Sequence, residues 1–292
     1  MLDVVVGGIN VVVGNGFLGT AIASELSLKG PTLMLGRNIS KVENSAISIT
    51  SANFSYSLRS LSTINTLCWA AGPSSPFKVE QQPNVAFEHI SFVRDILSTV
   101  EAQKVFYCSS GGTIYGNYEL GKAASESDSL NPISVYGNMH MQIENSLQSL
   151  PNVTCLRFGN LYGKSQKAQQ QQGLISHAIR SARLRIPLDI YGTGNETRDY
   201  ISIESAAKQV ASLSLLKTPT VLNLGTGVAT STNQILGVIS EFLGVKIQTI
   251  YHPKRNFDVE HNLLDISRLR KLLSVEEKPI EDNVYSLLDS IN

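Results

Sequence analysis

Two hundred and ninety-two residues, 42% hydrophobic and 16% charged with 22 Gly and 10 Pro, describe a globular chain able to bury its own core, which excludes collagen, coiled coil and extended disorder. Lys plus Arg and Asp plus Glu each number 24, so no net field draws the protein to nucleic acid or to an anionic membrane. The first cationic side chain is Lys29, and glycines interrupt the apolar N-terminus. Neither a secretory signal nor a membrane span is therefore expected, and a cytoplasmic location is.

In chain order, residues 9–13 read as a buried strand, followed by a helical pattern over 21–28 and strands over 32–35, 46–49 and 64–69. A helix over 87–100, a strand over 105–108, a helix over 136–150 and a strand over 153–158 complete the first half. Right-handed crossovers of this length predict an α/β fold, a doubly wound parallel sheet. Residues 164–172, Lys-Ser-Gln-Lys-Ala followed by four Gln, predict a flexible polar loop. A helix over 175–184, an extended segment over 188–191 and a strand over 221–224 returning to the sheet come next. The expected division is a dinucleotide-binding domain of residues 1–163 plus about 199–225, with a smaller substrate-binding part from about 164–198 and 226–292.

Cys68, Cys108 and Cys155 lie far apart in sequence in apolar settings and are expected to be buried thiols; no metal site is proposed. The residues Gly14-Asn15-Gly16-Phe17-Leu18-Gly19 follow the first strand and open a helix, the order a phosphate cradle requires. Gly14 permits the turn, Gly16 lets backbone approach a pyrophosphate and Gly19 lets helix and strand pack closely. No acid closes the second strand, which ends Leu35-Gly36-Arg37-Asn38. Arg37 pairs with a 2′-phosphate, favouring NADP(H) with NAD as the alternative, or is an ordinary surface cation. Asn53 serves the adenine edge or a plain turn.

Beyond the cradle, Ser109-Ser110-Gly111-Gly112-Thr113-Ile114-Tyr115-Gly116 follows a buried strand, and Tyr136-Gly137-Asn138-Met139-His140 lies on a helix with Glu144 one turn later. Further on come Arg157-Phe158-Gly159-Asn160, Gln172-Gly173-Leu174-Ile175, Ile190-Tyr191-Gly192-Thr193-Gly194, Arg198-Asp199-Tyr200-Ile201 and Arg255-Asn256-Phe257-Asp258. In this order the motifs resemble the extended short-chain dehydrogenase/reductase family of Rossmann-fold enzymes, the NAD-dependent epimerases, dehydratases and ketoreductases of nucleotide sugars. The resemblance covers nearly the whole chain. It implies cofactor contacts from the cradle, from Ala70, Ala71 and Gly72, and from Phe158 against the nicotinamide. It also implies substrate contacts from Asn160, Arg198, Arg255 and Asp258, and a homodimer is common in the family.

The family's Tyr-x-x-x-Lys pair falls on Tyr136 and His140, four apart on one helix face, so the expected catalytic set is Tyr136, His140, Ser110 and Thr113. A neutral imidazole still hydrogen-bonds a ribose hydroxyl, but acts on the phenol through charge only when protonated. Gly111 stands where the family carries a sugar-facing hydroxyl, so Ser110 or Thr113 is expected to reach instead. The leading expectation is NADPH-dependent reduction of the 4-keto group of a nucleotide-activated 6-deoxysugar, in surface polysaccharide synthesis of the O-antigen kind. A 4-epimerase with retained NAD is the first alternative, and a binding protein with impaired catalysis the second. Water elimination is not expected, because the dehydratases' Thr-Asp-Glu run corresponds to Gly111-Gly112-Thr113.

Overall fold

The computed structural model describes residues 8–36, 46–48, 58, 61, 63–73, 76–164, 166, 173–275 and 279–290. The strands are β1 (Ile9–Val13), β2 (Thr32–Gly36), β3 (Ala46–Ser48), β4 (Ile64–Trp69), β5 (Ala102–Ser110), β6 (Val153–Phe158), β7 (Asn160–Tyr162), β8 (Leu188–Tyr191), β9 (Thr197–Ser202), β10 (Val221–Leu224), β11 (Ala229–Ser231) and β12 (Thr249–His252). The helices of the first half are α1 (Phe17–Ser27), α2 (Pro76–Gln81), α3 (Asn84–Leu97), α4 (Gly111–Ile114) and α5 (Val135–Leu147). Those of the second half are α6 (Leu174–Leu184), α7 (Ile203–Leu213), α8 (Thr232–Leu243), α9 (Ser267–Leu272) and α10 (Ile280–Ser290).

Seven of these strands form one parallel sheet in the order β10-β6-β5-β4-β1-β2-β3. Its strands are apolar on both sides because helices cover both. One face packs Val11, Leu67, Trp69, Val105 and Tyr107 with α3 and α5; the other packs Val12, Cys68, Phe106 and Leu156 with α1 and α7. The order reverses between β1 and β4, which leaves a crevice at their carboxyl ends, where such sheets bind ligands.

A third apolar cluster, including Ile175, Ile179, Ile190, Ile235, Ile239 and Leu288, is built by α6, α8, α10 and β8. Sequence periodicity missed α7 and α8, although Ser202 and Ser231 announce both as N-caps: Ser202 Oγ accepts from Ser205 N–H, and Ser231 with Gln234 completes a capping box. Among the described residues no helix is long and apolar enough to cross a membrane.

Candidate functional site

The carboxyl ends of β1, β4, β5 and β6 open onto a cleft of about 1550 Å³, which continues between the sheet and the segments of the third cluster. Gly14 turns the chain out of β1 at φ +116°, and a Cβ there would stand 2.7 Å from the carbonyl carbon of Ala70 and the nitrogen of Ala71. Both facts require glycine. Across the switch point, Ala70 N–H donates to Val13 O at 2.8 Å, so Ala70, Ala71 and Gly72 face the cradle from the β4 side.

Gly16 caps α1 without a side chain and has open space where a Cβ would stand, whereas a Cβ at Gly19 would land on the carbonyl oxygen of Gly14. The first N–H groups of α1 lack intrahelical acceptors, and Gly16, Phe17 and Leu18 line the cleft. The residues present therefore fit a dinucleotide pyrophosphate at this helix end. Asn15 packs over the end of β2, its Cγ 2.5 Å from the place of a Cβ on Gly36. Arg37 and Asn53 lie outside the described residues, as does Gln172.

Tyr136 and His140 stack edge-to-face on α5, ring centroids 4.6 Å apart, and both line the cleft. Ser134 caps this helix, accepting from Gly137 N–H at 2.9 Å. The Tyr136 hydroxyl has no hydrogen-bond partner among the described residues, and burial, helped by Cys108, pushes its pKa up to about 12. His140 is 6% exposed, and burial, followed by the nearby charge of His89, pushes its pKa down to about 3. Of the two states the sequence left open for His140, burial without a carboxylate partner favours the neutral ring. Its Nδ1 lies 2.8 Å from the hydroxyl of Tyr107 on β5, a contact the sequence pattern did not single out.

Thr113 Oγ1 donates to Ser110 Oγ at 2.9 Å, and both line the cleft. Gly111 does not leave a gap there. A Cβ at this position would meet Arg157 O and Leu264 Cδ1 at 2.9 Å, so the vector points into packed protein. Gly112 makes room for Asn160, whose Oδ1 would lie 2.7 Å from an added Cβ. Ser109 faces away from Ser110, since side chains alternate along β5, and donates to Glu144 Oε1 at 2.6 Å.

Glu144 is also the partner of Arg157, whose Nη2 lies 2.6 Å and Nε 3.1 Å from its carboxylate. Arg157 Nη1 donates to the Tyr115 hydroxyl, which donates to Asn223 Oδ1, each at 2.7 Å. This buried network ties α5, β5, β6 and β10 together beneath the cleft floor. Phe158 follows it at the end of β6, buried and in contact with the cleft. The cysteines separated in sequence meet in the fold: Cys68 and Cys108 have their sulfurs 3.7 Å apart.

On the far wall, Arg198 donates from Nη1 to the carbonyls of Thr197 and Glu260 and from Nη2 to that of Val259. Part of its guanidinium thus holds the 259–260 segment, leaving Nε–H and one Nη2–H for the cleft. Arg255 is bidentate on Asp258, at 2.6 and 3.0 Å, and lies over the rings of Tyr191 at 4.5 Å and Phe257 at 5.0 Å. Asp199, fully buried, accepts from the backbone of Thr226 and Gly227 and from Thr226 Oγ1, so it fixes a turn and is no part of the cleft.

The family model that describes the NAD dependent epimerase/dehydratase family matches residues 10–225. A putative UDP-glucose 4-epimerase of Methanocaldococcus jannaschii is 30% identical over 190 residues, 62% of this chain and 60% of that protein. The dTDP-4-dehydro-6-deoxyglucose reductase of Escherichia coli is 27% identical over 196 residues, 65% of this chain and 61% of its own. The matched region thus spans less than two thirds of these relatives. The structure of the Thermus thermophilus UDP-glucose 4-epimerase in complex with NAD superposes with a TM-score of 0.83 at 20% identity, covering 96% of this chain and 98% of that one, which shows a common fold. With the glycine cradle at the β1–β4 switch point and a family match over most of the length, this chain belongs to the NAD dependent epimerase/dehydratase family.

Proposed function

We propose that this protein reduces the 4-keto group of a nucleotide-activated 6-deoxysugar, with Tyr136 giving the proton and NADPH as the reductant. The observation that carries this reading is the phenol of Tyr136, which has no cation beside it among the described residues and is held protonated by burial. Reduction of a carbonyl needs an acid at the oxygen. An epimerase must begin by removing a proton from a hydroxyl, for which such a phenol is a poor base. A bound nicotinamide supplies the hydride, and this chain supplies the proton and the grip. Thr113 donates to Ser110, which leaves the Ser110 proton to polarise the carbonyl oxygen. Asn160, Arg198 and the Arg255–Asp258 pair are the groups proposed for the nucleotide diphosphate and sugar.

NADPH is favoured by Arg37 and by Gly36, over which Asn15 packs, at the strand end where an acid would bind ribose hydroxyls. Given NADPH or NADH with dTDP-, GDP- or CDP-4-keto-6-deoxysugars, the protein is expected to consume the reduced nicotinamide absorbance with at least one of them, faster with NADPH. No consumption with any pair would overturn the reading. Relatives named UDP-glucose 4-epimerase, from Methanocaldococcus jannaschii and Mycolicibacterium smegmatis, favour a second reading, C4 epimerisation of a UDP-hexose. Tightly retained NAD, and interconversion of C4 epimers without net change in the cofactor, would establish it instead.

A further inference from the structure

His140 stands where its family resemblance leads one to expect a lysine, and the structure surrounds it as a neutral ring. Tyr107 from β5 meets Nδ1 at 2.8 Å. The other titratable groups around the pair are Tyr136 and Glu144 on the same helix, Cys108 on β5, Cys155 on β6 and His89 on α3. None offers the ring a carboxylate, since Glu144 is committed to Arg157 and Ser109, and the charge of His89 opposes protonation of the ring.

The proton count decides the tautomer. Tyr107 is 1% exposed, its phenol is kept protonated by burial, and its only hydrogen-bond partner among the described residues is His140 Nδ1. Were Nδ1 to carry the ring proton, the Tyr107 O–H would be a buried donor with nowhere to go, and Nε2 a buried acceptor with nothing to accept. With Tyr107 donating to Nδ1, one group alone is left over, an Nε2–H. That nitrogen is buried and has no hydrogen-bond partner among the described residues, and its ring lines the cleft beside Tyr136.

We infer that Tyr107 is a positioning residue: it fixes His140 as the Nε2–H tautomer, so that this ring offers a single, uncharged donor to a hydroxyl oxygen of the bound dinucleotide's ribose. The inference rests on the proposed dinucleotide-dependent reaction for its ligand, and on the geometry of the free protein for its tautomer. A lysine would bring several donors and a charge. The Tyr107–His140 pair supplies direction without charge, which leaves Tyr136 an acid.

The test reads the two parts separately. In the free protein, nitrogen NMR of 15N-labelled histidine, with His140 assigned by its loss in His140→Gln, is expected to show a protonated Nε2 and a bare Nδ1 that does not titrate near neutral pH. Tyr107→Phe removes one oxygen and is expected to release this preference. It should weaken NADP(H) or NAD(H) binding, measured by calorimetry, by about 5-fold, the worth of one net hydrogen bond. In the His140→Gln background the same substitution should leave binding unchanged, which a general loss of packing would not do. A proton on Nδ1, or a tautomer indifferent to Tyr107→Phe, overturns the positioning role. The expected tautomer in a protein that binds neither dinucleotide overturns the ligand assignment and the proposed function together.

Discussion

Replacing Glu144 by Gln would leave the Arg157 guanidinium buried without its counter-charge. The two side chains are 3% and 5% exposed, with a shortest contact of 2.6 Å. At an effective dielectric of about 20, unit charges about 4 Å apart attract by about 4 kcal/mol, in line with the roughly 3–5 kcal/mol lost when one partner of a buried pair is removed. The amide of Gln can still accept from Ser109, but its NH2 would face the Arg157 donors. For a chain of this length, about 4 kcal/mol corresponds to a fall in Tm of roughly 8 °C. Thermal unfolding by circular dichroism measures it. The double replacement Glu144→Leu with Arg157→Met should recover most of the loss, because the cost lies in the orphaned charge and much less in the absent bond. A Tm within about 1 °C of the parent for Glu144→Gln would refute the reasoning.

His140 adds a pH dependence of known sign. Its folded pKa, about 3, lies below the ordinary value of 6.5, so between these values the unfolded chain binds a proton that the folded one does not. Its contribution to stability is complete above about pH 6.5 and is lost as pH falls, by about 2 kcal/mol near pH 5, and His140→Gln should flatten that part of the profile in denaturant titrations. Gly14→Ala should abolish dinucleotide binding in calorimetry, since a Cβ at φ +116° would meet the Ala70–Ala71 backbone at 2.7 Å. Tyr136→Phe should lower the reduction rate by about 100-fold or more with little change in cofactor affinity. With Tyr136 present, the rate should hold across neutral pH and fall only as the phenol ionises, toward about 12, in a steady-state pH profile. Thr113→Val should reduce kcat by losing the hydroxyl that orients Ser110, while Tm stays within about 1 °C.

Strands β1 to β6 and helices α1, α3 and α5 were legible in sequence because each buried strand is a short β-branched run and each of these helices carries a 3.6-residue apolar period, whereas the short α2, α4 and β7 were not expected. The cradle was equally legible. Gly14, Gly16 and Gly19 are demanded by local backbone geometry and by contacts within one strand–turn–helix unit, so sequence spacing suffices to place them. Tyr136 and His140 share a helix face for the same local reason.

What lies beneath them depends on pairings between distant strands, which no local period encodes. Tyr107 meets His140, and Ser109 meets Glu144, because β5 runs under α5. Arg157 joins them because β6 sets it in register with Ser109. The charge state of His140 was likewise undecided in sequence, because a histidine's protonation follows its burial and its neighbours. The direction of the missing side chain at Gly111 was also a tertiary matter. Only the packed position of Leu264, 153 residues further along the chain, shows that a hydroxyl there would point away from the cleft. The sequence by itself determined the glycine turn that is proposed to hold a dinucleotide's phosphates. The tertiary structure decided which protons stand ready at the reacting end, because desolvation and long-range contact set them.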